Sequence, residues 1–75
     1  MDKEYSRALR ELVGHSIREE RHKKGWTQRE MAETFGAHES YFRQIESGCK
    51  EFSFPRLCEI AAVLGVRVAV LVRRL

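Results

Sequence analysis

Apolar and polar residues alternate along this chain with the period of an α-helix. Apolar positions three or four residues apart share one face of a helix, because the helix has about 3.6 residues per turn. Four segments show this spacing, and a C-terminal fifth is compatible with it. The pattern predicts helices over about Lys3–Lys24, Gln28–Phe35 and Glu39–Ser47, one capped by Ser53 and ending near Leu64, and one over Val66–Leu75.

The second helix carries its own start and stop signals. The Thr27 side chain can accept from the backbone N–H of Glu30, whose carboxylate can reach back to the Thr27 N–H, which makes a capping box. Trp26 and Met31 occupy the positions of a hydrophobic staple, and Gly36 offers the left-handed residue that ends many helices. In the first helix, by contrast, Gly14 is expected to weaken the helix by about 1 kcal/mol relative to alanine.

The third helix has a buried face and a polar face. Phe42, Ile45 and Glu46 fall on the inward side, and Gly48 supplies the stop. The opposite face is short and rich in hydrogen-bonding groups. It carries Ser40, Gln44 and Ser47, with Tyr41 and Arg43 on its flanks.

The C-terminal segment allows two interpretations. Its β-branched residues alternate from Val66 to Val70 as in a strand. Val68, Leu71, Val72 and Leu75 also fit helical spacing. We expect a helix, and a strand is the alternative.

Length and composition indicate one small globular domain over residues 1–75. No apolar run could span a membrane and no N-terminal signal is evident, so we expect a cytoplasmic protein. Cys49 and Cys58 are too few for a disulfide scaffold or a zinc knuckle, and we expect free thiols. The net charge of +3 modestly favours a polyanionic partner.

Two charged residues fall on buried faces. Arg21 follows Ile17 by one turn on the inner stripe of the first helix, and Glu46 follows Phe42 in the same way on the third. A buried charge needs a partner, so we expect a salt bridge between Arg21 and Glu46. The alternative is that both side chains reach solvent past the edge of the core.

The spacing of these features resembles the phage-repressor and Cro-type (xenobiotic-response-element type) helix-turn-helix regulators. This resemblance implies an all-α, compact five-helix fold of the lambda-repressor type, with the helix-turn-helix over about residues 27–47. It also implies the same bridge between the first and third helices. Among small members, phage-type repressors and the controller proteins of restriction-modification systems are similar. The matching residues are Ile17, Arg18, Arg21, Gly25, Thr27, Gln28, Glu30, Ala32, Gly36, Ile45, Glu46, Gly48, Leu57, Ile60, Ala61, Leu64, Gly65 and Val66.

We expect double-stranded DNA as the partner. In the family a glutamine at the position of Gln28 binds a phosphate, and Gln44 and Ser40 match base-reading positions. Arg43 could contact guanine or a phosphate, and Lys50 is expected to hold a phosphate. The expected DNA-contacting residues are Gln28, Arg29, Glu39, Ser40, Tyr41, Arg43, Gln44, Ser47 and Lys50. For each, the alternative is an ordinary solvated side chain, or simple packing in the case of Tyr41.

Three positions depart from the family pattern. His38 replaces the usual serine or threonine cap of the third helix, Phe52 replaces a proline, and Arg67 replaces the usual cap of the fifth helix. Glu39 brings a negative charge toward the phosphates, although a glutamate can accept from the amino group of cytosine. The base preference therefore stays open.

We expect a homodimer, because the core is small and the C-terminal segment is apolar. Its interface is expected to comprise Phe52, Phe54, Val68, Leu71, Val72 and Leu75. Two-fold symmetry implies a near-palindromic operator with half-sites about 34 Å apart. The competing hypothesis is a protein-interaction module, such as an antitoxin or anti-regulator, that uses the same fold.

Enzymatic and metal-binding functions are not expected. His15, Glu19 and His22 share a helical face, but a solvated charged face is the commoner meaning of that pattern. The chain has no phosphate-binding glycine loop, nucleophile elbow or paired catalytic carboxylates. We therefore expect no catalytic residue, metal, cofactor or small-molecule ligand.

Overall fold

A computed structural model of the protein describes residues 3–75 as five helices without a strand. The predicted all-α, five-helix fold is therefore confirmed. The expected single domain also includes Met1 and Asp2, which lie outside the described residues. The helices are α1 (Lys3–Lys23), α2 (Gln28–Phe35), α3 (Glu39–Ser47), α4 (Phe54–Leu64) and α5 (Val68–Val72).

Local chemistry defines the ends of α2 and α4. The Thr27 hydroxyl accepts from Glu30 N, and Thr27 N donates to Glu30 Oε1, each at 3.0 Å. Gly36 ends α2 with a left-handed φ of 88°. At α4, the Ser53 hydroxyl accepts from Arg56 N at 3.2 Å. By contrast, His38 makes no side-chain cap for α3.

The C-terminal segment is helical, so the strand alternative is wrong, but α5 is shorter than the expected Val66–Leu75. It packs against α1 and α4. Leu71 is fully buried in the core of the single chain, so its assignment to a dimer interface is corrected. The reason is that one turn of α5 must cover the core, and Leu71 is the residue on its inner side. The buried core comprises Val13, Ile17, Met31, Ala32, Phe42, Ile45, Leu57, Ile60, Ala61, Leu64 and Leu71.

The first and third helices cross with their backbones in contact. A Cβ atom on Gly14 would lie 2.5 Å from the carbonyl oxygen of Glu46 and 2.6 Å from that of Ile45. A Cβ atom on Gly48, which adopts a left-handed φ of 80°, would lie 2.5 Å from the side-chain Cγ of Glu11 and 2.9 Å from its backbone nitrogen. Gly14 thus allows a close approach that a side chain would block. The sequence pattern predicted only its cost to the helix.

The C-terminus is tied to α1 by ion pairs. Arg74 bonds to the carboxylate of Glu19, and Arg73 Nη2 lies 4.0 Å from Glu20 Oε2. The short α5 is therefore held by the buried Leu71 on its inner side and by ion pairs just beyond its C-terminal end.

Within residues 3–75, no helix is both long and apolar enough to cross a bilayer.

Candidate nucleic-acid interface

The third helix is fixed to α1 by the ion pair expected from the sequence. Arg21 Nε lies 2.7 Å from Glu46 Oε2, and Arg21 Nη2 donates to Glu46 Oε1 at 2.9 Å. Only 8% of the Arg21 side chain and none of the Glu46 side chain is exposed. Arg21 Nη1 also donates to the carbonyl of Trp26 at 2.8 Å. One guanidinium thus connects α1, the segment before α2, and α3.

Two further donors reach the same carboxylate. Gln28 Nε2 donates to Glu46 Oε1 at 3.2 Å, so this expected phosphate-binding side chain is held at the start of α2. Arg18 Nε donates to the same oxygen at 3.4 Å. Arg18 was not among the expected site residues. Its signal in the sequence is its position three residues before Arg21, which puts both arginines on one side of α1.

The polar face of α3 points outward. Ser40, Gln44 and Ser47 are all exposed on it. The Ser47 hydroxyl donates to the carbonyl of Gln44 at 3.0 Å, so it is already bonded to its own helix. Arg43 Nη2 lies 3.8 Å from Glu39 Oε1, one turn earlier, and both side chains are exposed. The helix therefore presents amide, hydroxyl, guanidinium and carboxylate groups along one surface.

An aromatic cluster lies along one side of α3. The Tyr41 ring stacks on Phe35, with centroids 6.2 Å apart, and meets Phe42 edge-on at 5.2 Å. Burial raises the pKa of the Tyr41 phenol above its ordinary value. Lys50 Nζ lies 5.8 Å from the centre of this ring. Tyr41 is thus a packed residue that also positions a cation beside the C-terminal end of α3.

One expected DNA contact, Arg29, remains to be placed. Arg29, in the first turn of α2, is exposed, and its Nε lies 3.4 Å from Glu33 Oε1.

On α1, His15 Nε2 lies 3.3 Å from Glu19 Oε1, and Glu19 also bonds Arg74. Among the described residues, no group of three or more side chains is arranged to hold a metal ion.

A family model described as "Helix-turn-helix domain" matches residues 7–75. The chain belongs to the helix-turn-helix domain family. Two solved structures are similar to this helix-turn-helix domain. The clp gene regulator ClgR from C. glutamicum is 41% identical, with a TM-score of 0.79, covering 84% of this chain and 82% of that one. The hypothetical transcription factor NHTF from Neisseria is 30% identical, with a TM-score of 0.80, covering 85% of this chain and 74% of that one. No curated protein matches the chain significantly.

The helix-turn-helix itself consists of α2, the turn through Gly36, and α3. In this motif the second helix is the one presented to the major groove, while the first crosses the DNA backbone. Here the second helix is α3, whose exposed face is polar and whose inner face is locked to α1. The chain is therefore a DNA-binding domain and not an enzyme.

Proposed function

We propose that this domain is a sequence-specific transcriptional regulator that binds duplex DNA as a homodimer on a near-palindromic operator. The observation that carries this proposal is the braced recognition helix α3. On its inner face, the carboxylate of Glu46 accepts four hydrogen bonds from three residues, while its outer face exposes Ser40 and Gln44. A rigid helix with a free polar face suits base readout, because little side-chain or backbone order must be gained on binding.

The proposed contacts divide into base-reading and backbone-holding groups. Gln44 can donate to N7 and accept from the N6 amino group of adenine, and Ser40 can contact either type of base pair. Arg43 suits guanine and Glu39 suits the amino group of cytosine. The proposed backbone contacts and supports are Gln28, Arg29, Tyr41, Ser47 and Lys50.

The proposed dimer surface is centred on a mainly apolar groove between α1, the start of α4 and the C-terminal segment. The groove has a volume of about 470 Å³. Phe54 is 67% exposed and Leu75 is 58% exposed at its edge, so a monomer would leave both apolar side chains in water. The proposed interface comprises Phe52, Phe54, Val68, Val72 and Leu75, without the buried Leu71.

Selection of bound duplexes from a random DNA pool tests this function directly. We expect enrichment of an inverted repeat whose half-sites are about one helical turn, 34 Å, apart. Affinity for the selected duplex should fall steeply with added salt, because lysine and arginine release counterions from the phosphates. No enriched sequence, together with salt-insensitive binding to a protein, would instead support the protein-interaction module. In that case the chain would share the fold of phage repressors and restriction-modification controllers without sharing their DNA-binding function.

A further inference from the structure

We propose that Arg18 is a further contact to the DNA backbone, anchored to the recognition helix by Glu46. This proposal rests on the DNA-binding function proposed above. Arg18 Nε and Gln28 Nε2 donate to the same oxygen, Glu46 Oε1, at 3.4 and 3.2 Å. The Arg18 guanidinium therefore lies beside the Gln28 amide, at the start of the helix that crosses the backbone in a helix-turn-helix.

The charges of this cluster do not balance. Glu46 supplies one negative charge against the positive charges of Arg18 and Arg21. Arg21 binds both Glu46 oxygens, at 2.7 and 2.9 Å, and gives its remaining nitrogen to the carbonyl of Trp26. Glu46 therefore neutralises Arg21 first, because that pair is bidentate and buried. The excess positive charge belongs to Arg18.

The excess charge is also the accessible one. The Arg18 side chain is 45% exposed, whereas that of Arg21 is 8% exposed. Glu46 is the sole acidic partner of Arg18 among the side chains that the structure describes. Arg18 can thus offer its outer N–H groups to another acceptor while Glu46 holds its inner one.

A phosphate is the acceptor that fits this arrangement. A guanidinium matches phosphate oxygens in a planar, bidentate way. Anchoring by Glu46 restricts the long side chain before binding, which reduces the entropy lost when it is ordered on DNA. Base edges are excluded as targets, because Arg18 projects from α1 rather than from the helix that enters the groove.

The salt dependence of binding separates this role from a purely bracing one. For Arg18→Gln we expect the slope of log K against log salt to fall by about one unit. Affinity should fall about four- to eight-fold at about 0.2 to 0.1 M salt, equally on operator and scrambled duplexes. Arg18→Lys should keep the slope. Arg67→Gln, at the exposed start of α5, removes the same charge away from the helix-turn-helix and should leave the slope unchanged.

The remaining outcomes assign a failure to one proposal or the other. If the DNA affinity of the original protein falls steeply with added salt and Arg18→Gln keeps the same slope, Arg18 only braces α1 against α3. A lowered thermal midpoint of free Arg18→Gln would agree with that bracing role. If the original protein shows no salt-dependent DNA binding, the proposed function itself is overturned, and the Arg18 contact with it.

Discussion

Glu46 is the residue on which the recognition helix depends most. Its side chain is wholly buried, yet it is charged and accepts hydrogen bonds from three residues on two other helices. A buried charge of this kind is tolerated only while its partners are present, because transfer from water otherwise costs several kcal/mol. Removing one partner should therefore be worse than removing both.

We predict that Glu46→Ala lowers the free energy of unfolding by about 3 kcal/mol, because it leaves the Arg21 guanidinium buried without its carboxylate. The double variant Arg21→Met, Glu46→Leu should recover much of that loss, since two apolar side chains fill the same space. Urea unfolding of the original protein, Glu46→Ala and the Met/Leu double variant measures these free energies. The same measurement on Arg21→Ala and on the double alanine variant completes a mutant cycle. If the losses of the two single alanine variants simply add in the double alanine variant, the two residues do not interact energetically.

The proposed base reading also depends on single residues. We predict that Gln44→Ala costs about 1 to 3 kcal/mol on the selected operator and little on unrelated DNA. The reason is that Gln44 is exposed on the outer face of α3 and can bond a base edge. Titration against operator and scrambled duplexes measures the difference. Equal loss on both duplexes would remove Gln44 from the base-reading residues.

Lys50→Ala is the matched comparison for that experiment. Lys50 lies beyond the end of α3, over the ring of Tyr41. As a phosphate contact it should lower affinity for every duplex alike and reduce the salt slope by about one unit. A loss confined to the operator would make Lys50 a base-reading residue instead.

At the scale of the element, a charged side chain, Glu30, stabilises the N-terminus of α2 through the capping box. The hydrogen bond from the Thr27 backbone N–H lowers the pKa of the Glu30 carboxyl below its ordinary value, with a smaller contribution from the Thr27 side chain. A carboxyl group whose pKa is lower in the folded state stabilises that state above its unfolded pKa. That stability is lost as the pH falls through the folded pKa.

We therefore predict that the stability advantage of the original protein over Glu30→Gln is present near neutral pH and shrinks in acid, below the ordinary range of glutamate. Thermal unfolding of both proteins from about pH 7 to about pH 3 checks this. Glu33→Gln, in the same helix but outside the capping box, is the control. A constant difference between the original protein and Glu30→Gln across this range would mean that the box contributes no charge-dependent stability.

The bounds of α2 and α3 could be predicted from the sequence, because local signals decide them. The capping box at Thr27 and the left-handed glycines Gly36 and Gly48 act over a few residues. The pairing of Arg21 with Glu46 also followed from helical spacing plus the cost of a buried charge. These inferences needed no knowledge of how the helices cross.

What the sequence could not predict depends on how the helices pack. The burial of Leu71 follows from the way five residues of α5 cover the core, and the spacing alone did not distinguish inner from outer valines and leucines. The proposed role of Arg18 depends on where α1 crosses α3. Contacts of this kind join residues far apart in the chain, so no local pattern carries them.

At the scale of the whole molecule, the open question is assembly. We predict that the protein is a dimer at micromolar concentration, because Phe54 and Leu75 border an apolar groove that a second copy would cover. Sedimentation of Val72→Glu and Phe54→Lys should show a shift toward monomer. Phe54 is 67% exposed, so its variant should fold normally.

Leu12→Lys is the control for that experiment, because Leu12 is exposed but does not line the groove. It should leave the association state unchanged. A stable monomer for the original protein, or dimers of equal strength in all three variants, would move the proposed interface elsewhere on the surface.

The backbone contact between α1 and α3 limits how this regulator can be controlled. Sliding of packed helices, a common allosteric movement, needs side chains between them that can repack. At Gly14 the backbone of α3 lies directly against α1 with no side chain between them, so we expect α3 to tilt only together with α1. In the proposed homodimer, we therefore expect an effector to act by changing the distance between the two copies of α3, and not by tilting α3 within one subunit. Likewise, under the proposed function we expect operator preference to change through side chains such as Gln44, and not through reorientation of α3.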